Sequence, residues 1–181
     1  MASQSTRNKL PERNRLAVQG PPKTREERRE DKFWECRRTL RIWPVRGDSR
    51  EDVVDFLAYK LGLDWQFDDE MGEVVVKKVR DPKRKVEGEV AVTFESKEVR
   101  DMVEAQAHNL DKYGEEAGMR LQIPNYLQKD FRVLMNLAYN LKKKHPDLKQ
   151  NVKFDEDNYG LFMDAQVKKD GQWKRVRPEQ A

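Results

Sequence analysis

The chain has 181 residues, of which 36% are hydrophobic and 39% are charged, so it can bury one or two small cores beneath a highly charged surface. We expect neither a membrane span nor a secretory leader, and the single cysteine, Cys36, excludes an internal disulfide. Residues 1–32 hold nine Lys or Arg against five Asp or Glu and carry the whole net charge of +4, which indicates either a polyanionic partner or a solubilising arm.

Residues 1–35 are predicted to form a flexible basic N-terminal arm followed by a short helix. Gly20-Pro21-Pro22 disfavours regular structure in the arm, and residues 25–32 are strong helix formers with opposite charges at helical spacing. The segment lacks a sustained heptad of apolar residues, so it is not predicted to be a coiled coil.

The next segment alternates in polarity and predicts a strand. Leu40 and Ile42 would share one face of this strand, while Arg41 and Trp43 would share the other. A turn and a helix follow: Ser49 and Asp52 have the spacing of a helix N-cap, apolar residues recur at helical spacing up to Leu61, and Gly62 ends the helix.

Three more strands and one more helix complete a first domain over residues 36–124. Strands are predicted at 73–79, 87–95 and 119–124, a charged turn at 81–85, and a helix over 99–110. The order β-α-β-β-α-β is that of the split βαβ, or ferredoxin-like, sandwich, an α+β fold. Both helices would then cover one face of a four-stranded antiparallel sheet and leave the other face open.

Residues 125–181 are predicted to form a second, small α/β domain. An apolar stripe from Leu127 to Leu141 predicts a helix that stops before Pro146. Three alternating runs, separated by turn signals at 158–160 and 170–171, predict a β-meander. At this size the unit is marginal alone and should lean on the first domain.

Two stretches of the first domain resemble the paired signatures of the RNA recognition motif. "LRIWPV" at 40–45 fits the apolar positions of the first-strand signature, with Arg41 in place of the stacking aromatic. "EGEVAVTF" at 87–94 matches Gly88, Val92 and Phe94 of the third-strand signature, but has Glu89 and Ala91 at the two platform positions. The resemblance implies the fold without the usual stacking platform.

A degenerate recognition motif followed by a small α/β unit resembles the RNA-binding region of the first-open-reading-frame, gag-like protein of LINE-type non-LTR retrotransposons. The likeness rests on 74–110 and 123–146, and extends over about residues 36–178. It implies a non-enzymatic protein that binds single-stranded RNA, or single-stranded DNA, with little sequence preference. It also implies a nucleic-acid chaperone in a cytoplasmic or nuclear ribonucleoprotein. Family members trimerise through an upstream coiled coil, which is not predicted here, so homo-oligomerisation stays open.

The candidate RNA-binding residues are cations and one aromatic on the first strand, around the hairpin at 81–85, at the end of the long helix and on the last strand. Trp43 would either stack on a base or pack against the second domain, and Trp173 is predicted to be buried. The candidates are Arg37, Arg38, Arg41, Trp43, Lys77, Lys78, Arg80, Lys83, Arg84, Lys85, Lys142, Lys143, Lys144, Lys174 and Arg175. Lys142–Lys144 would line one wall of a groove between the domains, and Lys174, Arg175 and Arg177 would line the opposite wall.

The sequence predicts no enzyme, no cofactor and no metal site. His108 and His145 lie apart from any nucleophile or carboxylate pair, and no phosphate-binding glycine loop, HExxH or GxSxG is present. The acidic residues 68–70 are interpreted as a loop. The alternative function is a protein-interaction module that uses the recognition-motif fold without RNA, which Glu89 would favour because a carboxylate on the sheet repels phosphate.

Overall fold

The computed structural model describes residues 20–64, 66–80 and 86–176. It confirms the α+β class: helices accompany two separate antiparallel sheets, one of four strands and one of three. No helix among these residues has the length and apolar character that crossing a membrane requires.

The four-stranded sheet consists of β1 (Thr39–Trp43), β2 (Val75–Lys78), β3 (Val90–Thr93) and β4 (Gly118–Leu121), in the order β2-β3-β1-β4. Strand β1 is central: Leu40 pairs with Val92 of β3 and with Leu121 of β4. Because side chains alternate along a strand, Leu40 and Ile42 share one face with Val90 and Val92, and all four are fully buried. The predicted separation of Leu40 and Ile42 from Arg41 and Trp43 is confirmed.

Two helices cover the apolar face of this sheet. Helix α2 (Arg50–Leu61) begins at the Ser49–Asp52 capping box and ends at Gly62, whose φ is 71°, so both predicted boundaries are confirmed. Helix α4 (Lys97–Ala105) supplies Val103 to the same core. The core therefore lies wholly between the helices and one face of the sheet.

Two connections differ from the sequence prediction. The acidic stretch 68–70, predicted as a loop, lies in a short helix, α3 (Gln66–Met71). Phe67 and Met71, four positions apart, are both buried in the core, and a helical turn places them on the same side. The second predicted helix ends early. The chain continues from Ala107 to Glu116 as a 3₁₀ helix whose Gly114 has φ 60°.

The second unit is a helix on a three-stranded sheet. After a 3₁₀ turn, Asn125–Leu127, helix α5 (Gln128–Lys144) packs on β5 (Lys149–Asp155), β6 (Gly160–Lys169) and β7 (Gln172–Arg175). The strand order is β5-β6-β7. Ala138 and Leu141 of α5 meet Met163, Ala165 and Val167 of β6 in a separate apolar core.

Helix α1 (Arg25–Arg37) joins the two units. Its start carries a Thr24–Glu27 capping box, and near its end Phe33 and Cys36 are buried. These two side chains share an apolar cluster with Ile123, Leu127 and Phe154. Ile123 follows β4, Leu127 ends the 3₁₀ turn, and Phe154 lies in β5. Burial raises the pKa of the Cys36 thiol to about 11, so it stays protonated at neutral pH.

Candidate nucleic-acid interface

A row of basic side chains crosses the open face of the four-stranded sheet. The backbone register places Lys77 of β2 opposite Ala91 of β3, Ala91 opposite Arg41 of β1, and Arg41 opposite Arg120 of β4. Neighbouring strands lie about 4.8 Å apart, so the row spans about 14 Å. We call Lys77, Arg41 and Arg120 the cationic row. Ala91, between Lys77 and Arg41, has a small side chain that leaves space above the sheet there.

Glu89 lies on the same face at the base of the cationic row. It is only 5% exposed, and its Oε1 lies 2.7 Å from Nη2 of Arg120 and 3.9 Å from Nη1 of Arg41. Arg41 also donates from Nε to the side chain of Gln122. The carboxylate is therefore paired with arginines and shielded from solvent, which removes the repulsion that its position in the sequence suggested.

Trp43 lies at the end of β1 on the open face. It is half-buried against Gly118 of β4, where a Cβ atom would lie 2.1 Å from Cζ2 of the indole. A glycine is thus required beneath the ring. The indole borders the concave surface that also contains Met119 and Glu87 of the first unit.

A cleft of about 570 Å³ lies between the open face and the second unit. Arg41 and Arg120 line it on one side, and Phe131 and Met135 of α5 line it on the other. Lys142 follows Ala138, another lining residue, by one helical turn, so it extends the same stripe of α5. Lys142, Lys143 and Lys144 are all exposed in the last turn, and the Nζ of Lys143 lies 4.4 Å from the ring centroid of Tyr139.

The basic hairpin between β2 and β3 is divided by strand alternation. Lys77 lies on the open face, whereas Lys78 lies opposite Val90, on the helix side, 4.0 Å from Asp48. Arg80 and Lys78 border a different concavity, together with Arg46. Lys83, Arg84 and Lys85 lie outside the described residues, so their predicted role stays a prediction.

Two predicted contact residues are engaged in intramolecular contacts. Arg37 forms a bidentate pair with Asp101, with both N–O distances 2.7 Å, and donates from Nε to Glu156 at 2.8 Å. Arg38 donates from Nη1 to the carbonyl of Glu95 at 3.0 Å. Both guanidiniums stabilise the fold, and neither belongs to the cationic row.

Strand alternation divides the basic residues of the last strand between the two sides of the second sheet. The register places Lys174 opposite the buried Val167, on the α5 side, and Arg175 opposite Gln166, on the other side of the sheet. Trp173 shares the side of Arg175 and is 41% exposed, so the burial predicted for it is wrong. The indole is exposed because it lies on the side of the sheet that α5 does not cover.

The sequence prediction missed Arg120 and the pairing of Glu89. The signal for Arg120 is present, because Met119 and Leu121 flank it with opposite polarity, but its neighbour across the sheet depends on the strand order. Among the described residues, no group of three or more His, Cys, Asp and Glu side chains is placed to hold a metal ion. His108 is exposed and its Nδ1 lies 3.1 Å from the carbonyl of Ala105.

A comparison with known protein families and with curated proteins finds no match to this chain.

Proposed function

We propose that the chain binds single-stranded RNA or DNA without enzymatic activity, and that its first sheet belongs to a degenerate RNA-recognition-motif-like domain. The strand order β2-β3-β1-β4, with α2 and α4 on one face only, supports this fold assignment. The open face carries Arg41, Glu89 and Ala91 where such domains place stacking aromatics. Binding on this face therefore depends on charge.

The cationic row is the observation that carries the proposal. Three cations, Lys77, Arg41 and Arg120, lie on one face in cross-strand register, and Arg41 and Arg120 also line the cleft beside α5. The two guanidiniums of the row suit a polyanion because arginine presents planar donors to phosphate oxygens, and Lys77 adds a third positive charge. Such contacts position a strand without reading its sequence.

The resemblance to LINE-type retrotransposon proteins extends this proposal to a chaperone that coats and remodels strands in a ribonucleoprotein. It rests on the quoted motifs of the recognition-motif-like domain and of the segment that enters the second unit. A chaperone of this kind accelerates the annealing of complementary strands, which can be followed with the same preparations that are used for binding.

The rival function, a protein-interaction module, has one observation in its favour. Helix α5 exposes three large apolar side chains, Val133, Met135 and Tyr139. Met135 also lines the cleft, and a short run of apolar residues on one helix is ordinary on protein surfaces. The carboxylate of Glu89, which favoured this rival, is neutralised by its arginines.

Charge reversal of Lys77 tests the proposal. Lys77 is exposed on β2, and replacing it by glutamate places a negative charge at one end of the cationic row. We expect the affinity for a labelled single strand, measured by fluorescence anisotropy at low salt, to fall by about tenfold or more. With Lys77→Gln, we expect the slope of log affinity against log salt to become shallower by about 0.7.

Lys112→Glu is the matched control, since Lys112 is an exposed lysine in the 3₁₀ helix outside the open face. It makes the same change in net charge and should leave affinity within about twofold. Equal losses of affinity for Lys77→Glu and Lys112→Glu would show that net charge alone controls binding. If the unsubstituted protein binds no single strand, the proposed function is wrong.

A further inference from the structure

The second sheet has its own open face. Along β5 and β6 the buried side chains, such as Val152, Met163 and Val167, point toward α5 and the junction, so the alternate residues point the other way. We call this surface the outer face. It consists of Lys149, Lys153, Phe162, Asp164, Lys168, Trp173 and Arg175, together with smaller polar residues.

Two aromatic rings are exposed on the outer face. Phe162 is 44% exposed and Trp173 is 41% exposed. Both rings are on the outer face, whereas the other side of the sheet packs against α5. They lie at opposite ends: Trp173 pairs with Lys168, and Phe162 pairs with Lys153. Lys168 follows Phe162 by six positions along β6, which at 3.3 Å a residue is about 20 Å.

Cations lie beside both rings, although the concavity that Phe162 lines is also lined by Asp101 and Glu104 of the first unit. The Nζ of Lys149 lies 4.1 Å from the ring centroid of Trp173, Lys168 lies directly across from the indole, and Lys153 lies directly across from Phe162. The side chain of Arg175 is 77% exposed. This arrangement combines flat apolar surface with positive charge, the two properties that single-stranded nucleic acids require of a stacking surface.

The central acid of this face is paired with cations. The side chain of Asp164 is 11% exposed, and its carboxylate lies 2.9 Å from Nζ of Lys153 and 3.2 Å from Nε of Arg175. A second acid, Asp155, lies on the same side at the end of β5 and accepts a hydrogen bond from Asn158. Four cations therefore face two carboxylates, and the outer face carries a net positive charge. Charge complementarity favours a polyanion, and the exposed rings favour one whose units carry planar bases.

We propose that the outer face is a second binding surface for single-stranded nucleic acid, on which Trp173 and Phe162 stack bases while Lys149, Lys168 and Arg175 contact phosphates. This inference rests on the function proposed above and assigns a different kind of contact to each sheet. The first sheet, which has lost its aromatic platform, supplies phosphate contacts, and the second sheet supplies base stacking. The two surfaces lie on different sheets, so simultaneous contact with both requires a strand long enough to reach from one to the other.

Removal of the rings is the first test. In the full chain, Trp173→Leu combined with Phe162→Leu should weaken binding of a labelled single strand by about tenfold or more, since each stacked base contributes about 1–3 kcal/mol. The single variant Trp173→Phe retains a stacking ring and should bind nearly as tightly as the unsubstituted protein. Tyr59→Leu, which removes a more exposed aromatic from α2, is the matched control and should bind normally.

The second test needs no variant. Unsubstituted protein should bind a strand with abasic sites about tenfold more weakly than the same strand with its bases, because the phosphates remain and the stacking partners are lost. With the abasic strand, the Trp173→Leu and Phe162→Leu double variant should show no further loss.

The outcomes separate the two proposals. If Lys77→Glu weakens binding while the double variant and the abasic strand bind normally, the outer face is not a stacking surface and only this inference fails. If the unsubstituted protein binds no strand, both proposals fail. If poly-glutamate binds and Trp173→Leu weakens it as much as it weakens the base-bearing strand, the outer face is an acidic-protein site, which also overturns the inference.

Discussion

Glu89 shows how one buried carboxylate organises the open face of the first sheet. It is enclosed between Arg120 and Arg41, immediately before β3, at one of the two platform positions of the recognition signature. A buried carboxylate is costly unless cations or hydrogen-bond donors surround it, so the arginines and the acid depend on each other. The guanidiniums are thereby held in place before any ligand arrives.

Replacing Arg120 by methionine should destabilise the protein. Glu89 would lose its ion pair at 2.7 Å and keep the longer one with Arg41 at 3.9 Å, so its buried charge would be less well compensated. We expect the free energy of unfolding at pH 7 to fall by about 2–4 kcal/mol, as measured by chemical denaturation.

The double variant Arg120→Met, Glu89→Gln distinguishes this cause from simple loss of packing. With a neutral amide in place of the carboxylate, most of the lost stability should return, because no buried charge remains unpaired. A double variant that is less stable than either single variant would contradict the account.

Helix α1 is the element that holds the two sheets in one body. Phe33 is fully buried, and its ring meets Trp34, Phe154 and Tyr159 edge to face at centroid distances of 5.3, 5.3 and 5.5 Å. Tyr159 in turn donates from its hydroxyl to Glu30 at 2.9 Å, which ties the β5–β6 turn to the same helix. The helix therefore contributes its apolar side mainly to the second unit.

Phe33→Ala should loosen this junction. Truncating a fully buried phenylalanine leaves a cavity, and we expect the free energy of unfolding to fall by about 3–5 kcal/mol. Denaturation followed by far-UV circular dichroism should then show the second unit melting before the first. Trp34→Ala, at the partly buried neighbouring position, should cost less, and an equal loss would show that the cavity at Phe33 is not the cause.

The elements that the sequence predicted well are those whose signals are local. The alternation at 40–43 and the Ser49–Asp52 cap depend on adjacent residues, and the structure confirms both. The packing of α1 could not be predicted, because Phe33 and Cys36 give too short an apolar stripe to indicate what they contact. The cationic row depends on register across four strands, so neither Arg120 nor the pairing of Glu89 could be derived from any one segment.

At the scale of the molecule, an ion-pair network links α1, α4 and the β5–β6 turn at the junction of the two units. Arg37 of α1 contacts Asp101 of α4 and Glu156 of the β5–β6 turn, and Lys97 contacts Glu156 at 2.7 Å. The hydrogen bond from Lys97 lowers the pKa of Glu156, partly opposed by burial and reinforced by Arg37. Burial raises the pKa of Asp101, but hydrogen bonds from Arg37 and Arg100 outweigh it and leave the pKa below its ordinary value.

These lowered values predict how stability changes with acidity. A carboxylate whose pKa is lower in the folded state contributes stability that is complete above its unfolded pKa and is lost as the pH falls through the folded value. The ordinary values are 3.8 for Asp101 and 4.5 for Glu156, so the contribution should be complete above about pH 5.5 and decline below it.

Glu156→Gln tests this dependence. The variant should be less stable by about 1 kcal/mol at pH 7, because the network is partly exposed to solvent. It should also lose less stability than the unsubstituted protein between pH 5.5 and pH 2, as measured by thermal or chemical denaturation. The matched substitution Glu73→Gln replaces an exposed glutamate outside the network and should leave the pH profile unchanged. Parallel profiles for all three proteins would contradict the prediction.

The position of α1 has a consequence for any attempt to exchange parts of this protein with another. Phe33 and Cys36 complete a core whose other members come from Ile123, Leu127 and Phe154, although β1 to β4 separate them along the chain. A chimera that receives only residues 123–176 would lack Phe33 and Cys36 and would expose the apolar side chains that they cover. The transplantable piece is discontinuous: it includes 25–37 as well, so exchange by a single crossover breaks it wherever the crossover falls between them.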